Sequence, residues 1–290
     1  MTITAPAPPR DRIGQLLHHR TVLAGLVMLT AVLAVTIIGS AVYPGDPVTT
    51  HPLNILQGPS SEYPLGTDQL GRDVLARVLH AGLLSIPLGM MAITGGAIVG
   101  STIGLIAGFL GGVTDTIISR IVDVLLSFPG LLIALLVVAI LGPDSTSAVL
   151  AVSITATPSH ARVARSTVLN LRSASYVEAA RVSNTRTPAM LRRHILPNVR
   201  DALIPIFVIG MGNGIIVLAA LSFLGIGVQP PAADWGVMLT DGVRSIRTTP
   251  LVALAPAVMM YATVLSINLL GEGLGEVLSR FRRTSYLGAE

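Results

Sequence analysis

The sequence predicts an all-α polytopic membrane protein with six transmembrane helices, and three observations carry that prediction. Only 12% of the 290 residues are charged, against about 25% in soluble domains, while 51% are hydrophobic. The apolar residues fall in runs long enough to cross a bilayer. Arginine is concentrated in some of the intervening segments and scarce in others.

The apolar runs cover residues 21–42, 83–110, 117–141, 202–228 and 251–270. Each reaches the roughly 20 residues that cross ~30 Å of hydrocarbon. A sixth stretch, 147–159, is shorter and carries Thr155, Thr157 and Pro158. Charge decides it. The 19 basic residues are all Arg: three precede the first run (Arg10, Arg12, Arg20), eight lie between Arg162 and Arg200, and three follow the last run (Arg280, Arg282, Arg283). Residues 43–81 hold two Arg beside four acids. The positive-inside bias therefore places the N-terminus, the 162–200 loop and the C-terminus in the cytoplasm. That requires an even number of crossings before residue 162, so 147–159 must cross and the total is six. Eight Arg held at mid-bilayer instead would cost roughly 2.5–3.5 kcal/mol each.

The resulting organisation is a cytoplasmic tail over 1–20, a first transmembrane helix over 21–42, and an extracytoplasmic segment over 43–81. A core of five transmembrane helices follows over 82–278, containing the cytoplasmic loop 162–200, and a cytoplasmic tail closes the chain at 279–290. The first run exceeds the ~7–15 residue apolar region of a cleaved signal peptide, so it reads as a retained signal-anchor. Pro6, Pro8 and Pro9 mark the head of the chain as unstructured. The sequence contains no Cys, which excludes disulfides, thiolate metal sites and cysteine nucleophiles. The six His (18, 19, 51, 80, 160, 194) show no metal-ligand spacing, so none is assigned to a metal. A GxxxxGK[ST] motif is missing, so ATP cannot be bound through a P-loop of this chain.

The most informative segment is 175–198, which reads as two short helices outside the bilayer. Ser175 and Glu178 have capping-box spacing, with the hydroxyl accepting from the third-position amide and the carboxylate reaching back. Asn184 tolerates positive φ and can close that helix. Thr187 and Pro188 then supply an N-cap and an N1 proline for a second helix, which Pro197 is expected to end. Ala179, Ala180, Met190, Leu191 and Ile195 would form an apolar knob on a basic base, suited to a groove on a cytoplasmic partner. A solvated basic connector or a nucleic-acid patch would not need a capped helix pair.

Glu178-Ala179-Ala180, Asn184 six residues after Glu178, and His194 through Pro197 to Asn198 resemble the EAA loop of ABC importer permeases. Residues 63–73, reading YPLGTDQLGRD, and 222–231, reading SFLGIGVQPP and followed by Asp234-Trp235-Gly236, are similar to the C-type permease subunit of the dipeptide, oligopeptide and nickel importers. The resemblance runs from about residue 14 to 281. It implies a type I ABC importer permease fold and a non-enzymatic transport subunit of a bacterial inner membrane. Its partners would be a homologous B-type permease, two ATPase subunits that bind ATP and Mg, an extracytoplasmic substrate-binding protein and membrane lipid, with no nucleic acid. The resemblance assigns ATPase coupling to Glu178, Ala179, Ala180, Asn184, Met190, Leu191, His194, Ile195, Pro197 and Asn198. Family members usually have glycine where Asn184 stands, and both residues fit a left-handed turn.

Other features admit two accounts. Gly96, Gly100, Gly104, Gly108 and Gly112 recur every four residues, which suits close helix approach either within this subunit or against a partner. Thr67 is a candidate cap for a short helix, with Asp73 and Arg77 an (i, i+4) pair and Val74, Leu75, Val78 and Leu79 on the apolar side. That helix would lie on the outer membrane surface or form part of a packed hairpin. Trp235 reads as an interfacial anchor, or, by resemblance, as part of a surface facing the binding protein. Arg120 and Asp123 read as a snorkelling pair. Asn213 and Asn268 are candidates for the translocation path, with inter-helix hydrogen bonding as the competing account. The rival functional class is an ion-gradient-driven secondary transporter, which needs titratable groups near mid-bilayer.

Overall fold

A computed structural model describes residues 14, 16, 18–172, 190 and 195–287, with side chains described to residue 279. The described residues form eight α-helices and one 3₁₀ turn, Pro52–Asn54. The helices are α1 (Arg20–Val42), α2 (Val74–Leu110), α3 (Gly112–Ser127), α4 (Gly130–Leu141), α5 (Ser145–Leu171), α6 (Leu196–Phe223), α7 (Trp235–Arg244) and α8 (Leu251–Leu287). Four of them, α1, α2, α6 and α8, are long and apolar enough to cross a membrane, and α3 with α4 makes a fifth if the bent pair is one span. The last helix continues through residues 279–287, where a separate tail is expected.

The expected third span, 117–141, is broken. Pro129 disfavours helical geometry at Phe128, which is extended at φ −99° and ψ 143°, and α3 and α4 meet there at 96°. At 16 and 12 residues, the two pieces are only about 24 and 18 Å long. The expected fourth span, 147–159, lies in a regular helix, α5, which is not among those apolar enough to cross a membrane by length and composition. Its 27 residues make α5 about 40 Å long, and the chain passes helically through Pro158. Part of the polarity that weakens its signal is turned toward protein. Ser153 donates from Oγ to the Ala92 carbonyl of α2 at 2.7 Å, and Ala148, Ala151, Val152, Ala161, Ala164 and Val168 are buried. Pro87, Pro205 and Pro256 lie inside α2, α6 and α8 in the same way, as transmembrane helices with protein neighbours allow.

The glycine stripe serves packing within the subunit. A Cβ added at Gly96, Gly100, Gly104 or Gly108 would come within 2.5, 2.2, 2.2 and 2.9 Å of the carbonyl oxygens of Ser153, Thr157, Ala161 and Arg165. Both series advance by four, so one face of α2 lies on the backbone of α5 for about three turns. Gly112 does not belong to this seam. It follows the end of α2 with φ +57°, beside Gly111 at φ +67°, where the chain reverses into α3.

Residues 43–73 are not organised around a helix capped by Thr67. Thr67 is fully buried, accepting the Gln57 amide at its hydroxyl and donating that hydroxyl to the Asn54 carbonyl. The helix that contains Val74, Val78 and Leu79 is α2 itself, 37 residues and about 55 Å long, capped by the Asp73 carboxylate. Asp73 therefore does not pair with Arg77. It takes the amides of Leu75 and Ala76 and the Tyr43 hydroxyl at 2.6 Å. Burial, and the carboxylate it donates to, push the Tyr43 phenol well above its ordinary range.

Asp68 is the charge that Arg77 meets. Its Oδ2 lies 2.7 Å from Arg72 Nε and 3.5 Å from Arg77 Nε, while Oδ1 accepts the amides of Leu70 and Arg72. Arg72 reaches on to Asp241 of α7 at 3.1 Å, and Arg77 donates to the Pro47 carbonyl at 2.8 Å. Asp68, Arg72 and Arg77 are all buried. The 63–73 motif is thus the knot that ties residues 43–73 to α2 and α7.

Trp235 is likewise interior and not an interfacial anchor. It is fully buried, its Nε1 donates to the Val78 carbonyl at 3.1 Å, and it packs with Val32, Val74, Ile86, Met238 and Val252. Asp234 caps α7 through the amides of Gly236 and Val237 and accepts from Ser85 of α2 at 2.7 Å. Gly236 has no room for a side chain, since a Cβ would lie 2.4 Å from the Ala219 carbonyl.

Candidate functional site: the cleft and the base of the arginine-rich loop

Two features converge on α5 and α6. The first is a cleft of about 430 Å³ between α2, α4, α5 and α6. Its walls are mostly apolar, with Ile93, Leu131 and Val152 among them, and they carry Thr155, Ser159 and Asn213 as polar points. Asn213, three residues after Gly210 on α6, is exposed. Asn268 is not brought into this cleft. It lies half-buried in the seam between α8 and α6, its Oδ1 3.2 Å from where a Cβ at Gly212 would stand.

One cleft residue falls just outside the spans read from the sequence. His160 is the sixteenth residue of α5, is 2% exposed, and lines the cleft beside Gly210. His160 is thus a titratable side chain inside the helical bundle. The run 147–159 stops one residue short because His160 and the Arg beyond it interrupt the apolar pattern, whereas the helix continues to Leu171.

The second feature is the base of the 162–200 loop. Its first ten residues are helix, and two of its Arg are committed to α3. Arg165 makes a two-point ion pair with Asp115, with Nη2 to Oδ2 at 2.7 Å, and Arg162 meets Asp123 at 2.6 Å. Asp123 thus pairs across helices and not with Arg120. Arg172 reaches the Gly108 carbonyl at the end of the glycine seam at 3.5 Å.

On the returning side, Pro197 opens the long helix α6. It sits in the first turn of α6, where its missing N–H leaves no intrahelical bond unmade. Ile195 and Met190 are not presented outward as part of an apolar knob, being 0% and 3% exposed. Ile195 packs with Val199 against Ala164, Val168 and Leu171 of α5. An isoleucine that finds an apolar pocket within its own chain is more stable there than in water by about 1.5–3 kcal/mol. Leu196, Pro197 and Asn198 are exposed beside it. Glu178, Ala179, Ala180, Asn184, Leu191 and His194 lie outside the described residues.

The two stems of the loop therefore touch. Segment 173–194 leaves α5 and returns to α6 at one apolar cluster, and those same helices wall the cleft. The stems of the segment are thus continuous with both walls.

The comparisons with known proteins agree with this architecture. Residues 100–284 match the family described as binding-protein-dependent transport system inner membrane component. The chain is 38% identical over 275 residues to the dipeptide transport system permease protein DppC of Alkalihalophilus pseudofirmus, covering 95% of this chain and 90% of that protein. It is 39% identical over 262 residues to the glutathione transport system permease protein GsiD of Pectobacterium atrosepticum, covering 90% and 87%. An inward-facing crystal form of the MetNI methionine ABC transporter shares the fold with a TM-score of 0.58 at 16% identity, covering 70% of this chain and 96% of that chain.

Proposed function

From a chain that belongs to the binding-protein-dependent transport system inner membrane components, we propose one half of a peptide import pathway driven by partner ATPases through segment 175–198. The cargo is a dipeptide, oligopeptide or glutathione-like peptide, in line with the transport systems of the two relatives. The pathway is shared with a homologous permease and supplied by an extracytoplasmic binding protein. Two ATPase subunits bind the ATP and Mg. The chain sits in a bacterial inner membrane with its N-terminus, C-terminus and 162–200 loop in the cytoplasm, following the distribution of its Arg.

The observation that supports this most is the contact between the two stems of the loop, Leu171 with Ile195 and Val199. Within the segment, Glu178, Ala179, Ala180, Asn184, Leu191 and His194 dock on the ATPase. Met190, Ile195, Pro197 and Asn198 carry its displacement into α6. A docked ATPase biases the pathway only by its difference in affinity for the inward- and outward-open forms, and the stems convert that bias into relative movement of α5 and α6. Asn213 is assigned to the path. Asn268 is not, because it lies in a helix seam.

Replacing Glu178 by Lys reverses the charge at the position whose spacing from Ser175 predicts a capping box. In the reconstituted complex this variant is expected to keep hydrolysing ATP while uptake falls by about tenfold or more, equivalent to about 1.4 kcal/mol of lost coupling. Normal uptake per ATP hydrolysed would contradict the docking role.

A further inference from the structure

His160 carries an unmet bond inside the cleft. Its Nδ1 lies 2.9 Å from the Ala156 carbonyl, and a carbonyl only accepts, so in the neutral ring the proton sits on Nδ1. Nε2 is then a bare acceptor. It is buried and has no hydrogen-bond partner among the described residues. An orphaned acceptor in a low-dielectric interior is costly, and where one persists a partner that comes and goes is the economical explanation.

The surroundings of the ring narrow that partner. Beyond Nε2 stands Gly210, where a Cβ would be 3.9 Å from the nitrogen and 3.7 Å from Cε1, and would press on the Ile93 Cγ2 methyl at 3.1 Å. Small displacements of α6 at this side-chain-free position open Nε2 to the cleft. On the same wall, Thr155 and Ser159 hydroxyls and the Asn213 amide are spaced among apolar residues. Such a wall does not hold a strongly solvated ion, but it suits a polar backbone with apolar substituents.

We infer that His160 is a cargo-contacting residue: its Nε2 accepts an N–H from the backbone or amino terminus of a peptide as it passes the α5–α6 wall of the cleft. The inference rests on the peptide reading of the pathway and adds to it the residue and the atom that receive the cargo. No bond is made or broken; the contact is a hydrogen bond formed on entry and lost on exit. Binding that is brief and single-point is what a conduit requires, since tight capture would slow release.

The test uses the full complex, this chain with its partner permease, ATPases and binding protein, reconstituted in proteoliposomes. Radiolabelled dialanine and glutathione serve as probes. His160→Leu keeps the volume apolar and removes the acceptor. His160→Gln restores an acceptor at nearly the same reach. Gly210→Ser sets a hydroxyl where it can satisfy Nε2 permanently. The expected result is normal assembly and cargo-free ATP hydrolysis in all three, with uptake lowered about fivefold or more in the Leu and Ser variants and largely recovered in the Gln variant. Equal uptake by wild type and His160→Leu would overturn the assignment while leaving the peptide reading intact. Failure of both His160 variants to assemble would make the ring a structural wall and also overturn it. If wild type moves neither probe, the peptide reading fails and the assignment falls with it.

Discussion

Replacing Gly104 by Val is expected to abolish assembly of the folded chain. A Cβ there would stand 2.2 Å from the Ala161 carbonyl oxygen and 2.8 Å from the Ala164 Cβ. Neither neighbour can turn aside, because both belong to the backbone or first side-chain atom of a long, packed helix. Relief would require separating α2 from α5 along the whole seam, which also pulls Ser153 from the Ala92 carbonyl. Overpacking a core costs about 1–3 kcal/mol when side chains can adjust, and here the obstacle is main chain, so the cost lies at or above the top of that range. Gly95→Ala supplies the comparison. Its Cβ would meet only the Ser153 hydroxyl, at 3.0 Å, and a loss of about 1 kcal/mol or less is expected. Thermal unfolding in detergent, followed by size-exclusion recovery, reads both. Equal stability of the Gly104 and Gly95 variants would show that the seam is looser than the backbone contacts imply.

Asp68→Asn should be nearly as damaging, although it changes a single oxygen to an amide and leaves every transmembrane residue in place. The carboxylate faces two buried guanidinium groups, with Arg72 at 2.7 Å and Arg77 at 3.5 Å. Asp241 is the other acid in contact, and it reaches only Arg72. Without Asp68, Arg77 keeps the Pro47 carbonyl and loses the one carboxylate in ion-pair contact with it among the described residues. Removing one member of a buried ion pair typically costs about 3–5 kcal/mol, because the remaining charge stays desolvated. Protease sensitivity of residues 43–73 and the unfolding temperature should both move. Should neither change, the Arg72–Asp241 pair alone holds the segment.

Much of this architecture is legible in the sequence, for reasons that differ by region. The apolar runs at 21–42, 202–228 and 251–270 mark α1, α6 and α8 because these helices present wide faces to lipid. The run at 83–110 finds only the later part of α2. Its first turns are polar on one side, because Asp73 and Arg77 are bound by residues 43–73, and a hydropathy pattern cannot distinguish a charge in water from a charge in a protein pocket. The run at 117–141 hides the break at Phe128 and Pro129, although the Pro gives the warning. Arg placement recovers α5, whose Ser, Thr and His face its neighbours.

The site is less legible. Glu178 through His194 can be singled out by capping chemistry and resemblance, but that Ile195 would turn inward to α5 depends on contacts between residues 24 or more positions apart. The sequence leaves the motif at 63–73 as an outer-surface helix or a packed hairpin, and Trp235 in 222–236 as an interfacial anchor or part of a surface facing the binding protein. In the fold they are chiefly structural: Asp68 and Arg72 form a buried knot, Gly71 stands at φ +74° with a Cβ's place 2.0 Å from the His51 carbonyl oxygen, and Trp235 fills the core. His160 offers no sequence signal of its own. The helix that carries it and its place on the cleft wall beside Gly210 are what single it out.

The central claim is that segment 173–194 lies on the ATPase side of the membrane, joined by its stems to α5 and α6. The natural absence of Cys makes the decisive measurement direct. Single-cysteine variants Asn184→Cys and Gly58→Cys would be exposed to a membrane-impermeant maleimide in spheroplasts and again after lysis. Gly58 is open, with nothing near the position of its Cβ, so labelling there reports sidedness alone. The account predicts that Cys at 58 labels in intact spheroplasts and Cys at 184 labels only after lysis. Labelling of 184 in intact spheroplasts would contradict it.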